Sequence, residues 1–239
     1  MVFTLIGIVF IALGLAMGWY GLRPVVVVPS VLRADVQDPT AVTADQSFAV
    51  CRGVARESTE TLRAPFTGTE CFGFEFEVTE RQPFGIGMPW FQARLDDGVA
   101  TRPFVLDSPT GSLGVVPAAK RFALDAESTV ITVGANDSMP ERIQRFVDAR
   151  DKLDPVSGWL QAIPGFGGRR YIERRIDPGQ EYLVAGPTEQ QQDGVVLAGN
   201  LVITDRSPRR FALARLRQAV FPTVSAVLFV GAGVGAIIL

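Results

Sequence analysis

The chain of 239 residues carries a long stretch without any charged side chain at each end, residues 1–22 and residues 219–239. About 20 helical residues, each rising roughly 1.5 Å, match a bilayer hydrocarbon core of about 30 Å. A cleaved signal peptide is the alternative for the first stretch, but it would need a basic start, and no basic residue precedes Arg23. Trp19 and Tyr20 stand where an aromatic belt belongs. We therefore predict two transmembrane helices and a location in the cell membrane.

Each apolar stretch carries two glycines four residues apart, Gly14 and Gly18 in the first and Gly231 and Gly235 in the second. Small residues at this spacing let helix backbones approach closely inside a membrane. The spacing predicts helix–helix association through these glycines, including self-association of the chain. The lipid bilayer is the other partner that the two stretches imply. Pro222 is expected in the first turn of the second helix, where proline is tolerated.

Basic residues flank the two apolar stretches on the side of the intervening chain. They are Arg23, Arg33, Arg206, Arg209, Arg210, Arg215 and Arg217. We interpret residues 206–218 as a basic juxtamembrane helix that lies partly on anionic headgroups. The positive-inside rule then predicts that residues 23–218 face the cytoplasm, with both ends of the chain on the opposite side.

Composition narrows the chemistry of the intervening chain. With 23 basic and 25 acidic residues the net charge is −2, which gives no electrostatic reason to expect nucleic-acid binding. Histidine is absent, so histidine acid–base catalysis and histidine metal sites are excluded. Cys51 and Cys71 are too few for a zinc site. They are interpreted as small buried apolar residues, with one disulfide as the alternative in an oxidising compartment.

Short alternating segments recur through the middle of the chain and predict β-strands. They are Phe48–Arg56, Glu70–Arg81, Phe91–Leu95, Arg102–Leu106, Leu113–Val116, Ser128–Val133, Arg169–Ile176, Glu181–Ala185, Val195–Ala198 and Leu201–Thr204. Turn residues separate them, as in Asp96-Asp97-Gly98. The pattern predicts a mainly β fold, a compact antiparallel barrel or sandwich, with an OB-like barrel among the candidates. The domain spans 46–205 and follows an extended linker over 23–45.

One helix is predicted inside this domain. Ser138 and Glu141 have the spacing of a capping box, and Ile143, Phe146 and Val147 fall on one helical face. We expect the helix to cover part of the sheet.

The segment 70–81 raises the question of a catalytic carboxylate pair. Phe72, Phe74 and Phe76 alternate with Glu75 and Glu77, so one strand face is aromatic and the other acidic. We expect the three aromatic rings to share one core. A working acid–base pair needs two different environments, and neighbouring glutamates on one solvated face would be treated alike. A solvated sheet face is therefore the interpretation.

Three motifs between the apolar stretches carry a resemblance to a known family. They read CRGVARESTETLRAPFTGTECFGFEFEVTER from Cys51, RPFVLDSPTGSLGVVP from Arg102 and RYIERRIDPGQEYLVAGPTE from Arg170. In this order, the chain resembles the GIDE, or MULAN, family of mitochondrial ubiquitin ligases and its prokaryotic relatives. The matching positions are Gly53, Pro65, Cys71, Asp107, Gly111, Glu173, Gly179 and Gly186.

The resemblance implies a GIDE-like domain between two membrane helices and a link to a ubiquitin-like transferase system. The ligase members also carry a RING domain with Cys and His zinc ligands. A RING cannot be built from two cysteines without histidine. The family analogy places the middle domain outside the cytoplasm, against the arginine pattern. The expected function is a non-enzymatic interaction or scaffold domain at the bilayer with an unknown protein partner. Catalytic residues, metals and cofactors are not expected.

Aromatic residues on Gly- and Pro-rich segments are candidates for contact with a partner or with lipid headgroups. They are Trp90, Phe91, Trp159 and Phe166. Core packing is the alternative for each of them.

Overall fold

The computed structural model of the chain describes residues 2–57, 60–82, 91–118, 124, 128–134, 137–150, 153, 168–192 and 194–238. For residues 24, 81–82 and 91–93 it describes the backbone alone. The chain forms two compact units. One consists of Met1–Asp35 and Arg206–Leu239, and the other, called the β unit below, is Val36–Asp205.

The described helices belong mainly to the first unit. They are α1 (Val2–Leu22), α2 (Val28–Arg33), α3 (Glu141–Asp148) and α4 (Pro208–Ile238), with short 3-10 turns at Arg23–Val25 and Pro39–Ala41. Helices α1 and α4 are long and apolar enough to cross a membrane. Helix α4 runs without a break from the basic segment into the apolar one, so Pro222 lies inside the helix and not in its first turn.

Helices α1 and α4 pack against each other through small residues spaced seven apart. Gly7, Gly14 and Gly21 are the buried residues of α1. A Cβ atom on Gly7 would lie 2.5 Å from the carbonyl oxygen of Gly233. One on Gly14 would lie 2.8 Å from that of Ala226. The order of these contacts makes the pair antiparallel, and only glycine permits so close an approach.

The four glycines for which the four-residue spacing predicts helix contacts do not all lie between the two helices. Gly14 lies in the contact between the two helices, and a Cβ on Gly18 would meet Ala226 at an ordinary 3.4 Å. A Cβ on Gly231 or Gly235 would meet nothing within 4 Å. Self-association through these glycines stays a prediction.

The described strands form three sheets. They are β1 (Val36–Gln37), β2 (Ala49–Glu57), β3 (Leu62–Arg63), β4 (Glu70–Cys71), β5 (Gly73–Gln82), β6 (Phe91–Thr101), β7 (Phe104–Ser108), β8 (Gly111–Pro117), β9 (Ser128–Val133), β10 (Arg169–Ile176), β11 (Glu181–Gly186), β12 (Thr188–Gln191), β13 (Gly194–Gly199) and β14 (Val202–Thr204). The largest sheet has the order β12-β13-β8-β7-β2-β11-β14, with β1 beside β2. The second has the order β6-β5-β10-β9, and β3 pairs with β4.

This architecture corrects the predicted fold class. The chain as a whole is mixed α/β, and its described strands close no barrel. Two strand pairs, β1 with β2 and β13 with β8, are parallel, so the large sheet is not purely antiparallel. The helical share comes mainly from α1 and α4, and the β unit itself is rich in strands.

Every strand predicted from the alternating pattern overlaps an observed strand, but the turn predicted at Asp96-Asp97-Gly98 is wrong. These residues continue strand β6, in which Gly98 lies opposite Phe76 of β5. A Cβ on Gly98 would lie 2.5 Å from the Phe76 ring. The glycine therefore makes room for an aromatic ring on the neighbouring strand and does not mark a turn.

Two further segments differ from the prediction. The linker predicted over 23–45 contains helix α2, which has a proline in its first turn. It also contains β1, which pairs with β2. Helix α3 begins at Glu141 after an extended Pro140 and has no side-chain cap, so the predicted capping box is absent. Its predicted apolar face is confirmed, because Ile143 and Phe146 are buried.

The described residues of the β unit form two apolar cores. The large-sheet core consists of Val42, Ala49, Cys51, Ala55, Phe72, Phe104, Leu106, Leu113, Val115, Leu124, Ile176, Tyr182, Val184, Leu197, Leu201 and Ile203. The aromatic core consists of Phe66, Phe76, Val78, Val133, Ile143, Phe146, Leu153 and Tyr171. Helix α3 therefore packs on the second sheet through the aromatic core.

The three phenylalanines of the segment 70–81 do not share one core, so that prediction is wrong. Phe72 belongs to the large-sheet core, where it stacks on Phe104 with 5.6 Å between ring centroids. Phe76 lies in the aromatic core and Phe74 packs half-buried against it. The reason is a break between β4 and β5: the Phe72 amide donates to Ile176 and its carbonyl accepts from Arg102. The regular alternation of side chains therefore starts only at Gly73.

Phe76→Ala should lower the free energy of unfolding of the β unit by about 3–5 kcal/mol, the usual result of emptying a buried aromatic site. The Phe76 ring packs edge-on against Phe66 and Phe146 with centroids 5.7 and 5.2 Å away. Phe74→Ala is the matched control and should cost clearly less, because Phe74 is half-buried. Urea unfolding of the detergent-solubilised chain, followed by near-UV circular dichroism, measures both. Equal losses would contradict the assignment of the two rings.

Candidate functional site

The two glutamates of the segment 70–81 are each paired with a different arginine. Glu75 lies 3.9 Å from Arg174 of β10, and its side chain is only 9% exposed. Glu77 accepts from Arg94 of β6 at 3.0 Å. The prediction of a solvated face is therefore wrong for Glu75. Strand β5 lies between β6 and β10, so arginines from both neighbouring strands reach its carboxylates.

Glu173 is the most completely enclosed carboxylate of the site. It accepts hydrogen bonds from the backbone amides of Phe66 and Thr67 at 2.7 and 3.3 Å. It also accepts from the Thr67 hydroxyl and from Arg175 at 2.5 and 2.9 Å. Its side chain has no exposed surface. A buried carboxylate must be compensated in this way, because transfer of a bare charge out of water costs several kcal/mol.

Arg175 extends this arrangement along β10. Its guanidinium binds Glu173 on one side and Asp177 on the other, with the Arg175 Nε 3.0 Å from the Asp177 carboxylate. These ion pairs raise the pKa of Arg175, against the effect of burial. The Asp177 amide donates to the Tyr182 hydroxyl at 2.9 Å. Tyr182 belongs to the large-sheet core. We call Glu173, Arg175, Asp177 and Tyr182 the polar chain.

A second buried ion pair lies at the other end of β10. Arg169 donates from its Nε to Glu80 of β5 at 2.9 Å, and from a terminal nitrogen to the carbonyl of Leu153 at 2.7 Å. Both side chains are almost fully buried. Arg169, Glu173 and Arg175 therefore lie on one face of β10, and each of them forms an ion pair.

Asp38 organises a cluster of hydroxyl groups at the turn between β7 and β8. One of its oxygens accepts from the backbone amide and hydroxyl of Thr40, from Ser108 at 3.1 Å and from Thr110. The Thr110 hydroxyl is the largest cause that lowers the Asp38 pKa from 3.8 to about 2. The carboxylate therefore joins the 3-10 turn at Pro39–Ala41 to the β7–β8 turn.

Asp107, a position of the resemblance, lies in β7 opposite Val54 of β2. It forms a cross-strand ion pair with Arg56 at 2.7 Å, and both side chains are substantially exposed. Ser108, not Asp107, donates to the backbone carbonyl that closes the turn, at Gly111.

Other positions of the resemblance are explained by close packing, by a turn or by burial. A Cβ on Gly53 would lie 2.7 Å from the Asp107 carbonyl oxygen, so glycine lets β2 and β7 approach. Gly179 has a φ of +78°, which its turn between β10 and β11 requires. Gly186 lies against Leu201, Pro65 is half-buried, and Cys71 lies buried in β4.

Each shifted pKa moves away from neutrality, so each of these groups keeps at neutral pH the protonation state that it has in water. Burial raises the pKa of the Cys51 and Cys71 thiols to about 12, and both thiols are free. Burial also raises the pKa of Tyr182 to about 12. A hydrogen bond from Thr43 lowers the pKa of Asp45. A nucleophile or general base would need the opposite shift.

The described residues contain no group of three or more Cys, Asp or Glu side chains placed to hold a metal ion. Trp90, Trp159 and Phe166 lie outside the described residues, and for Phe91 only the backbone in β6 is described. Contacts of these aromatic residues with a partner stay a prediction.

Of these residues, only Glu173 is a position of the resemblance, and Arg175, Asp177 and Asp38 were not predicted from the sequence. An available signal was the alternation of opposite charges at Glu173, Arg175 and Asp177, because residues two apart lie on one strand face. For Asp38, followed by Pro39 and Thr40, the signal was an Asx turn. No protein-family model, curated protein or solved structure matches the chain.

Glu173→Gln should lower the free energy of unfolding of the β unit by about 3–5 kcal/mol, as expected when one partner of a buried ion pair is removed. Hydrogen exchange of the Phe66 and Thr67 amides, which donate to Glu173, should also accelerate. Asp107→Asn is the control. In its ion pair the Asp107 side chain is 36% exposed and the Arg56 side chain 65% exposed, so the free energy of unfolding should fall by only about 0–1 kcal/mol. Similar losses in urea unfolding for the two variants would contradict the role of Glu173.

The Asp38 cluster predicts a specific acid dependence of stability. Since the folded pKa of about 2 is below the ordinary 3.8, ionised Asp38 stabilises the fold above about pH 4. This contribution disappears as the pH falls from about 4 to 2. The stability difference between wild type and Asp38→Asn should therefore be largest at pH 5 and shrink towards pH 2. Thr110→Val should move this loss to higher pH. A difference independent of pH would count against the cluster.

Proposed function

We propose that the chain is a membrane-anchored interaction protein whose β unit binds or organises a protein partner at the bilayer surface. The observation that carries this proposal is the antiparallel packing of α1 and α4, two helices of membrane-spanning length from opposite ends of the chain. The β unit is the chain segment between them. An anchor at both ends favours a domain that works beside the membrane.

A non-enzymatic role is supported by the state of the ionisable groups. The carboxylates of Glu173, Asp177 and Asp38 accept hydrogen bonds from the protein itself. The cysteine thiols are buried and protonated at neutral pH. In the described part of the chain, these groups hold the fold together and are not available to attack a substrate.

The proposal includes the side of the membrane. The seven arginines that flank α1 and α4 favour a cytoplasmic β unit, because moving each positive charge outward opposes the membrane potential by about 2.3 kcal/mol per 100 mV. We expect both chain ends to lie outside. A Ser112→Cys reporter in a Cys51→Ser, Cys71→Ser background tests this, since Ser112 is exposed.

Labelling of this reporter by a membrane-impermeant maleimide should require lysis of the cells. Labelling before lysis would place the β unit outside, as the family analogy suggests. The wild type is an internal control, because its two buried thiols should stay unlabelled as long as the protein is folded.

The partner is tested by affinity capture of the detergent-solubilised chain from its native host. Proteins captured by the wild type should be lost with Phe76→Ala under conditions in which that variant is unfolded. They should be retained with Asp107→Asn, which leaves the fold intact. A set of captured proteins that is the same for all three chains would contradict binding by the folded β unit.

We also propose that the β unit is a GIDE-like domain, on the motifs that carry the resemblance. The alternative function, a component of a ubiquitin-like transferase system, rests on this resemblance alone. The capture experiment separates the two, because recovery of a ubiquitin-like conjugating enzyme would favour the alternative.

A further inference from the structure

The first three turns of α4 combine exposed arginines with exposed leucines on one face. Arg209, Arg210 and Arg217 are exposed, and Leu213 and Leu216 are 51% and 48% exposed. At 100° per residue these five side chains fall within about 120° of the helix surface. The opposite face is buried at Phe211, Ala212 and Ala219. We call the exposed residues the arginine face.

The three arginines of this face have no ion-pair partner among the described residues. Arg215 differs, because its guanidinium lies 5.3 Å from the Phe211 ring and donates to Gln218. The segment Pro208–Gln218 contains no acidic residue. The charges of the arginine face are thus available to a ligand outside the chain.

The unbroken helix fixes the depth of these arginines in a bilayer. The charge-free part of α4 after Gln218 has about 20 residues and spans roughly 30 Å, the thickness of the hydrocarbon core. Arg217 is therefore the first charge outside the core. Trp19, Tyr20 and Phe221 are exposed nearby, as in an interfacial aromatic belt.

Helix α1 brings another arginine to the same level. Gly21 packs on Pro222, and Ala219 is buried on the same side of α4. Arg23 lies two residues past Gly21, and Arg217 lies two residues before Ala219. Because the helices are antiparallel, both arginines come to the headgroup layer on one side of the bilayer.

Charge is divided unevenly between the two units. Met1–Asp35 and Arg206–Leu239 hold seven of the 23 basic residues but one of the 25 acidic residues. Their formal charge is therefore +6, which leaves −8 for the β unit. A cationic anchor is complementary to an anionic leaflet, and guanidinium groups bind phosphates through paired hydrogen bonds.

We infer that the arginine face, together with Arg23, binds the phosphate groups of anionic phospholipids in the leaflet next to the β unit. Leu216, next to Arg217, lies at the boundary between headgroups and acyl chains, while the longer arginine side chains reach the phosphates. The inference rests on the membrane anchor of the proposed function and adds a lipid class to it.

The test uses the full chain reconstituted into phosphatidylcholine bilayers. Electron paramagnetic resonance of spin-labelled phosphatidylglycerol and phosphatidylcholine measures their relative association constants with the protein. The wild type should prefer phosphatidylglycerol by about fivefold at sites next to an arginine, and the preference should weaken with salt. R210Q/R217Q should lose most of this preference. R63Q/R145Q is the matched control, because it removes two charges from exposed surface ion pairs of the β unit.

An unchanged preference in R210Q/R217Q, or an equal loss in the control, would overturn the inference. Flotation of the vesicles separates this result from a failure of the membrane anchor. Protein that floats with the vesicles but shows no lipid preference contradicts the arginine face alone. Protein that stays at the bottom of the gradient contradicts the anchor and therefore the proposed function.

Discussion

The enclosure of the Glu173 carboxylate is the interaction that orders the β unit. A carboxylate without exposed surface requires hydrogen-bond donors. The chain supplies them from a distant turn, at Phe66–Thr67, and from Arg175 on the same strand. Arg175 in turn donates to Asp177, and the Asp177 amide donates to the Tyr182 hydroxyl. Phe66 belongs to the aromatic core and Tyr182 to the large-sheet core. The polar chain thus connects a segment of the aromatic core with a residue of the large-sheet core.

The helix pair follows a different principle, because no buried charge is involved. In the proposed membrane anchor, apolar surface gains nothing by leaving lipid for another helix, so close contact depends on backbones that can approach. Gly7, Gly14 and Gly21 remove side chains at every second turn of α1. The pair is therefore specified by the absence of side chains, and the β unit by the pairing of polar ones.

The sequence predicted the strands well because each strand is a local alternation of side chains. The apolar face of α3 was found for the same reason. What failed depended on distant residues: Gly98 looks like a turn until Phe76 lies opposite it. Phe72 looks like part of a regular strand until its backbone bonds to Ile176 and Arg102 are known.

The candidate site shows the same limit. The charges of Glu173, Arg175 and Asp177 are visible as an alternating pattern, but the amides that enclose Glu173 lie more than 100 residues earlier in the chain. The seven-residue spacing in α1 and α4 was also present in the sequence. It was overlooked because the four-residue spacing of Gly14 and Gly18 matches a commoner pattern, and because either spacing gains meaning only when the partner helix is known.

The contact between Gly7 and Gly233 has a consequence for biosynthesis. These residues stand near opposite ends of a 239-residue chain, and ribosomes add roughly 5–20 residues per second. In the proposed membrane anchor, helix α1 is therefore in the lipid without its partner for on the order of 10–50 s. During that time its glycine groove is open to any other membrane helix. The groove is filled only when α4 is made, because the residues that pack on Gly7, Gly14 and Gly21 all belong to that helix.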